Sequence, residues 1–124
     1  MARILIAEDE MVIRDLYVEL LTEEGHTVDE AGNGEEAFTK AQQNEYDLIL
    51  LDIMMPRMDG SAALRRIRRD SKNIHTKIVM LTVLTDQIHI EDTLTHGADG
   101  YLIKSALTPD QFVGEVTAFL KPSA

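Results

Sequence analysis

Residues 47–56 read DLILLDIMMP, and this stretch decides the fold class. Its apolar part is typical of a buried strand in a parallel sheet, whereas the residues that lead to Pro56 cannot continue a strand. Asp52 therefore stands where a strand leaves the sheet. In open α/β folds, ligands bind and chemistry occurs at the carboxyl ends of the strands. Asp52 is thus the first candidate for a functional residue.

Short apolar runs alternate with helical patterns along the whole chain. The predicted strands cover 3–7, 27–31, 47–51, 77–81 and 100–103, and the predicted helices lie near 11–24, 35–43, 60–70, 86–96 and 109–120. This alternation predicts an α/β fold with a parallel sheet covered on both faces. The first and third strands are the most apolar and are expected at the centre, whereas 27–31 is polar enough for an edge.

Length and composition limit the function classes. A chain of 124 residues is long enough for one core, so we expect one domain over 1–120 and a tail or truncated linker at 121–124. No apolar leader or membrane span is apparent, so a cytoplasmic location is expected. The net charge of −10 argues against direct nucleic-acid binding. The absence of cysteine excludes disulfides and thiolate sites.

One basic run opposes the acidic balance of the chain. It consists of four arginines in the predicted third helix: Arg65, Arg66, Arg68 and Arg69. We interpret it as the solvated face of a helix whose inner side is Leu64 and Ile67. A docking patch for an acidic partner is the alternative.

Acidic side chains follow two of the predicted strands. Glu8 and Asp9 come directly after 3–7, and Asp52 comes after 47–51. Two like charges about 4 Å apart repel by about 4 kcal/mol at an effective dielectric of about 20, so a cation is needed to hold three acids together. Mg²⁺ suits such oxygen ligands. We predict Asp9 and Asp52 as direct ligands, with Glu8 binding directly or through a water; capping of the next helix by Glu8 and Asp9 is the structural alternative.

A hydroxyl and an ammonium group complete the predicted site. Thr82 follows the strand 77–81, and Lys104 follows 100–103. A carboxylate such as Asp52 can attack phosphorus as a nucleophile, and phosphoryl transfer then requires mainly positioning and charge neutralisation. Lys104 and Thr82 are candidates for contacting the phosphoryl oxygens. The structural alternatives are a surface lysine and a β-branched residue that closes a strand.

Four segments together resemble the receiver domain of two-component response regulators, and in particular the chemotaxis regulators. They are 6–10 (IAEDE), 47–60 (DLILLDIMMPRMDG), 79–82 (VMLT) and 97–104 (GADGYLIK), in the family's order over essentially the whole chain. The resemblance implies a flavodoxin-like (βα)5 three-layer sandwich with strand order 2-1-3-4-5. It also implies a phosphorelay module in which Asp52 accepts a phosphoryl group from a phosphohistidine.

The resemblance assigns roles to individual residues. It implies that Mg²⁺ is held by Glu8, Asp9, Asp52 and the backbone carbonyl of Met54. It implies that Thr82 and Lys104 contact the phosphoryl group, and that both act in the chemistry together with the phosphoacceptor Asp52. Tyr101 occupies the switch position, where the ring turns inward as Thr82 moves toward the phosphate; a half-buried strand aromatic is the alternative.

The resemblance also implies partners. The phosphoryl donor would be a histidine kinase or a histidine phosphotransfer protein. The output would be a protein that meets helix 4, strand 5 and helix 5, near Gln87, Ile90, Tyr101 and Phe112. The chain would act as a signalling switch that promotes its own phosphorylation and dephosphorylation, as a monomer or a phosphorylation-dependent dimer. A single-domain regulator is expected, with excision from a larger protein as the alternative.

Two positions, Ser105 and Val83, depart from the family pattern, and two other functions compete with this one. Ser105 replaces the usual proline after the lysine, which puts the expected cis peptide in doubt. Val83 stands where a smaller residue is common, and we expect its bulk to narrow access to the phosphoryl group. Met54 and Leu84 are apolar residues beside the site, which we expect to slow hydrolysis of an aspartyl-phosphate. The first competing function is an aspartate-nucleophile phosphatase, which needs a general acid. The chain has Met54, and not an acid, two residues after Asp52. A flavin carrier would need glycines or hydroxyls in the loop 8–10, which is acidic instead.

Overall fold

The sheet of this protein has five parallel strands in the order β2-β1-β3-β4-β5. The computed structural model describes residues 1–83 and 87–122. The strands are β1 (Arg3–Ala7), β2 (Thr27–Ala31), β3 (Leu48–Asp52), β4 (Lys77–Thr82) and β5 (Gly100–Ile103). The helices are α1 (Met11–Glu23), α2 (Gly34–Gln43), α3 (Gly60–Asp70), α4 (Gln87–Thr95) and α5 (Pro109–Leu120). The predicted flavodoxin-like order is confirmed, with β2 at an edge and β1 and β3 inside.

The sheet separates two apolar cores, which makes the three layers. Because side chains of a strand alternate between faces, Leu5 and Ala7 enter one core while Ile4 and Ile6 enter the other. The first core also receives buried side chains of α2 and α3, and the second receives those of α1 and α5. All five residues of β3 are buried, as expected for a central parallel strand.

Three helices begin at side-chain caps that lie next to the strand ends. Asn33 accepts a hydrogen bond from the backbone N–H of Glu36 at the start of α2, and Asp59 accepts one from Ala62 at the start of α3. Thr108 and Gln111 form a reciprocal capping box at the start of α5. Such caps satisfy backbone donors that a helix leaves unpaired, and so fix where each loop ends.

The arginines of α3 are largely engaged within the molecule. Arg68 donates hydrogen bonds to the carbonyls of Asn73, Ile74, Thr76 and Gly97, and pairs with Asp99 at 2.9 Å. Arg66 lies over the ring of Phe38, 4.3 Å from its centroid. Arg65 and Arg69 form ion pairs with neighbouring aspartates. The interpretation as a merely solvated face is therefore wrong for Arg68, which joins α3 to two loops.

Two predictions concern residues outside the described part of the chain: the apolar flank at Leu84, and part of the tail 121–124. Leu84 is not among the described residues, and neither are Ser123 and Ala124 of the tail. Within 1–83 and 87–122, no helix combines the length and apolarity that crossing a bilayer requires.

Gly60 brings the start of α3 against the end of β3. Its N–H donates to the carbonyl of Ile53 at 2.8 Å, and a Cβ placed on it would lie 2.1 Å from the carbonyl oxygen of Asp52. Two backbone segments would have to separate to admit a methyl group. We expect Gly60→Ala to lower the free energy of unfolding by about 3 kcal/mol in urea titrations followed by circular dichroism.

Gly114 provides the matched control for this prediction. It lies within α5, and a Cβ there would meet nothing within 4 Å. Gly114→Ala should therefore raise stability by about 0.5–1 kcal/mol, because alanine has the higher helix propensity. Equal losses in the two variants would contradict the close-approach explanation for Gly60.

Candidate functional site

Five of the predicted site residues meet at the carboxyl edge of the sheet. Asp52 and Thr82 are the last residues of β3 and β4, Glu8 and Asp9 follow β1, and Lys104 follows β5. Glu8, Asp52 and Thr82 are at most 6% exposed, whereas Asp9 is open to solvent. Parallel strands end at the same edge, so the fold itself gathers side chains that are far apart in the sequence.

Lys104 is shared between two buried carboxylates. Its Nζ lies 2.5 Å from Oε1 of Glu8 and 3.0 Å from Oδ2 of Asp52, and its side chain is 6% exposed. One positive charge thus faces two negative charges in a place that water barely reaches. Each of these charge-assisted hydrogen bonds is stronger than it would be at the surface.

The pKa values of Glu8 and Lys104 follow from the burial of both groups and from their interactions with each other and with Asp52. Burial raises the pKa of Glu8 above its ordinary value, and the neighbouring Asp52 raises it further, while Lys104 opposes both. Burial by itself lowers the pKa of Lys104, but its hydrogen bonds and charge interactions with Glu8 and Asp52 outweigh burial and raise it overall. Lys104 therefore stays positively charged at neutral pH, and the anionic charge of the site exceeds what it neutralises.

The acidic side chains fit a divalent cation with oxygen ligands. One carboxylate oxygen each from Glu8, Asp9 and Asp52 lies within 4.8 Å of the others. Such hard oxygen donors, with one side open to solvent, match the preference of Mg²⁺ for a few carboxylates and several waters. Among the described residues, this is the cluster of three or more histidine, aspartate or glutamate side chains that could hold a metal.

Met54 lies beside Asp52 as the sequence predicts. Its backbone N–H donates to Oδ1 of Asp52 at 3.2 Å, and its side chain is 67% exposed. The N–H bond holds the Asp52 carboxylate in place and leaves Oδ2 to Lys104. Ligation by the Met54 carbonyl stays a prediction.

The predicted switch residues lie on neighbouring strands. Thr82 is buried at the end of β4, next to β5, which carries Tyr101. Tyr101 is 42% exposed, so its ring lies on the outside of the edge strand. Ser105 donates from Oγ to the carbonyl of Val83 at 3.2 Å, and the described residues contain no cis peptide bond. The expected cis peptide after Lys104 is thus not present here.

One residue that contacts the acidic turn, Arg14, is not predicted by the sequence pattern. Arg14 of α1 donates from Nη1 to the backbone carbonyl of Glu8 at 2.6 Å. No sequence pattern indicates which of several charged residues on a helix face turns toward a backbone oxygen. The position of Arg14 about one turn into α1 indicates only that its side chain can reach the turn that precedes the helix.

Comparisons with known proteins agree with this geometry. The family model for the response regulator receiver domain matches residues 4–117. The transcriptional regulatory protein ResD of Bacillus subtilis is 39% identical over 119 residues, which cover 96% of this chain and 48% of ResD. The chain spans less than half the length of the first curated relatives it matches.

Solved structures with the same fold include two receiver proteins. Chemotaxis protein CheY4 of Vibrio cholerae superposes with a TM-score of 0.89 at 31% identity, covering 96% of this chain and 98% of CheY4. The receiver domain of the sensor histidine kinase PA1611 of Pseudomonas aeruginosa, described with a magnesium ion coordinated in its active site cleft, superposes with a TM-score of 0.86 at 28% identity. It covers 96% of this chain and 97% of the PA1611 receiver.

Proposed function

The chain belongs to the response regulator receiver family, and we propose that it accepts a phosphoryl group on Asp52 in a two-component phosphorelay. The observation that carries this proposal is the placement of Asp52. Its carboxylate is buried, is held by the N–H of Met54, and lies 3.0 Å from Nζ of Lys104 beside two further acids. A nucleophile with a fixed cation next to it suits an incoming phosphoryl group.

The chemistry is a displacement at phosphorus. An oxygen of Asp52 forms the new bond to phosphorus, the bond from phosphorus to the imidazole nitrogen of a phosphohistidine breaks, and that nitrogen keeps the electron pair. Lys104 neutralises charge on the transferred group, and the Thr82 hydroxyl donates to another of its oxygens. Mg²⁺, held by Glu8, Asp9, Asp52 and the Met54 carbonyl, supplies further charge neutralisation when bound.

Two features oppose a phosphatase as the main activity. Met54 supplies no acid two residues after Asp52, and the acids grouped with Asp52 among the described residues are Glu8 and Asp9, which the metal requires. A leaving group would thus find no separate proton donor. In this proposal the chain acts as a switch that promotes its own phosphorylation and dephosphorylation.

Thr82 and Tyr101 transmit the phosphorylated state in this proposal. A phosphoryl group adds roughly −1.5 to −2 charges. A hydrogen bond from Thr82 to this charged group contributes about 1.5–3 kcal/mol, which shifts a two-state equilibrium by roughly ten- to a hundredfold. Movement of Thr82 vacates space on the β5 side, and the half-exposed ring of Tyr101 then turns inward.

The proposed partners are those that membership of the receiver family implies. The phosphoryl donor is a histidine kinase or a histidine phosphotransfer protein, which must reach Asp52 past the exposed side chains of Met54 and Val83. The output partner is a protein that meets α4, β5 and α5, near the exposed residues Gln87 and Tyr101. The prediction that Ile90 and Phe112 border this surface is wrong, because both side chains are buried beneath it. The chain acts in the cytoplasm, as a monomer or as a dimer that forms on phosphorylation. The excess of acidic residues opposes direct nucleic-acid binding by this domain.

Incubation with a small phosphodonor tests the proposal. We expect intact-mass measurement to detect the gain of one phosphate in the presence of Mg²⁺ and no gain in EDTA. Hydroxylamine should remove the phosphate, because it cleaves an acyl phosphate and leaves a phosphate ester intact. A gain that persists in EDTA, or one that resists hydroxylamine, would contradict the proposal.

A further inference from the structure

Arg14 connects helix α1 to the turn that carries the acidic residues. Its Nη1 donates to the backbone carbonyl of Glu8 at 2.6 Å, and its Nε donates to Oε1 of Glu30 on the edge strand β2 at 3.1 Å. The side chain of Arg14 is only 16% exposed, whereas that of Glu30 is 43% exposed. The guanidinium is therefore held between a backbone oxygen of the site and a carboxylate of the neighbouring strand.

The turn between β1 and α1 is held at several further points. The N–H of Glu8 donates to the carbonyl of Ala31 at 3.0 Å, so Glu8 is tied to β2 through its N–H and to Arg14 through its carbonyl. The N–H of Glu10 donates to Oε2 of Glu8 at 3.2 Å, and the N–H of Arg14 donates to the carbonyl of Glu10 at 2.9 Å. Asp9 lies inside this set of bonds.

Gly32 leaves room for the guanidinium. A Cβ at Gly32 would lie 3.3 Å from Nη1 of Arg14, which is closer than most Cβ contacts. A larger residue at position 32 would press on the nitrogen that bonds the Glu8 carbonyl. The edge strand thus contributes an anchor, Glu30, and Gly32 just after the strand leaves the space in which Arg14 lies.

We propose that Arg14 is a positioning residue for the metal site, which fixes the Glu8–Asp9 turn so that both carboxylates face the cation. This inference rests on the proposed function, since it concerns the Mg²⁺ that the phosphoryl transfer requires. Arg14 does not contact the phosphoryl group in this account. It acts through the backbone of Glu8, as outer groups commonly act on metal ligands.

The direction in which removing Arg14 changes the affinity for Mg²⁺ distinguishes a positioning role from an effect of its charge. Arg14 is a cation near an anionic site, so its field alone disfavours a second cation. If only the field mattered, removing the charge would strengthen Mg²⁺ binding. If positioning dominates, removing the guanidinium weakens binding despite the more negative field. A purely structural role for Arg14 in helix packing would lower stability and leave the affinity for Mg²⁺ unchanged.

Titration calorimetry of the whole chain with Mg²⁺ at fixed ionic strength tests the inference. We expect Arg14→Gln to raise the dissociation constant for Mg²⁺ about tenfold. Arg14→Lys, which keeps the charge but has a single donor group, should fall between this variant and the wild type. An unchanged or lower dissociation constant in Arg14→Gln would overturn the inference.

Arg3→Gln is the matched control. Arg3 pairs with Asp29 on the same edge strand, one residue from Glu30, but lies at the start of β1 and away from the site. Its loss removes the same charge and a similar ion pair, so stability should fall while the affinity for Mg²⁺ stays the same. Equal weakening of Mg²⁺ binding in Arg3→Gln and Arg14→Gln would overturn the positioning role.

A second variant covers the case in which Arg14→Gln does not fold. Glu30→Asp keeps the charge but withdraws the carboxylate from Nε of Arg14, and it should raise the dissociation constant about two- to threefold. An unchanged constant would overturn the inference. Absence of Mg²⁺ binding in the wild type would instead overturn the proposed function, and this inference with it.

Discussion

Asp52→Asn is expected to abolish phosphate uptake from a small phosphodonor in the presence of Mg²⁺. An amide oxygen is a far poorer nucleophile than a carboxylate oxygen, and the amide also removes one metal ligand. Asp59→Asn is the matched control, because Asp59 is an exposed aspartate whose side chain caps α3. Asparagine caps a helix as well as aspartate, so this variant should take up phosphate like the wild type.

Intact mass measured over time checks this prediction. An equal phosphate gain in Asp52→Asn and in the wild type would remove Asp52 as the acceptor. Loss of uptake in both aspartate variants would indicate that the loop, rather than the carboxylate, is required. Only selective loss in Asp52→Asn supports a covalent bond at this side chain.

The same variant has a second expected effect, on the metal-free protein. In the wild type, Glu8 and Asp52 share one lysine, and their charges repel. Neutralising Asp52 leaves Lys104 to Glu8 and removes that repulsion. We therefore expect Asp52→Asn to gain about 1–2 kcal/mol of stability without metal. Strain of this kind is common where a site is arranged for a ligand rather than for stability.

The sequence predicted the sheet well because its strands are short and, apart from β2, mostly apolar. Asp52 and Thr82 proved to be the last residues of β3 and β4 rather than the residues after them, a difference of one position. The predicted edge position of 27–31 was correct because an edge strand tolerates polar residues such as Asp29 and Glu30. The strand order itself came from the family resemblance, since periodicity does not specify which strands are neighbours.

The sequence predicted that the side chains of Glu8, Asp9, Asp52 and Lys104 lie close together, but not how they bond. Lys104 is 96 residues from Glu8 and 52 from Asp52, so no local pattern could indicate that one ammonium serves both carboxylates. Asn73 was missed for the same reason. It is fully buried and donates from its side-chain amide to the carbonyls of Ala41 and Asn44 while it accepts from the N–H of Tyr46. A polar residue in a loop gives no sign in the sequence that it will be enclosed.

Lys104→Met is expected to destabilise the metal-free protein by about 3–5 kcal/mol near neutral pH, because it leaves two buried carboxylates without a cation. Methionine keeps most of the volume of the side chain, so packing changes little. The loss should appear as a lower urea midpoint. Phosphate uptake should fall as well, since the proposed contact with the phosphoryl group is lost.

The loss of stability in Lys104→Met should decrease as the pH falls. The pKa of Glu8 in the folded protein is raised above its ordinary 4.5 by burial and by Asp52, and Lys104 opposes this rise. A group with a raised folded pKa contributes stability that is complete below its unfolded pKa and is lost as the pH rises through its folded pKa. Without Lys104 the pKa of Glu8 rises further. The cost of Lys104→Met should therefore be smaller near pH 4.5 than at neutral pH.

Lys77→Met is the control that separates this effect from a general loss of charge. Lys77 at the start of β4 donates to the backbone carbonyls of Phe119 and Lys121, at 2.8 Å each. Lys77→Met removes hydrogen bonds to neutral groups, so its loss of stability should differ little between pH 4.5 and neutral pH. A parallel pH dependence in the two variants would contradict the explanation based on Glu8.

Magnesium should offset much of the destabilisation caused by Lys104→Met. In the wild type, the ammonium of Lys104 already neutralises part of the anionic charge that would attract the metal. Its removal leaves a more negative site, so Mg²⁺ should bind more tightly and, at the same Mg²⁺ concentration, raise the unfolding free energy by more than in the wild type. A Mg²⁺ concentration of about 100 times the dissociation constant adds about 2.7 kcal/mol. Lys104→Met would thus depend on the metal for its stability, whereas Arg14→Gln would have lost affinity for it. If Lys104→Met and Arg14→Gln shifted the Mg²⁺ affinity in the same direction, the distinction between a neutralising lysine and a positioning arginine would be wrong.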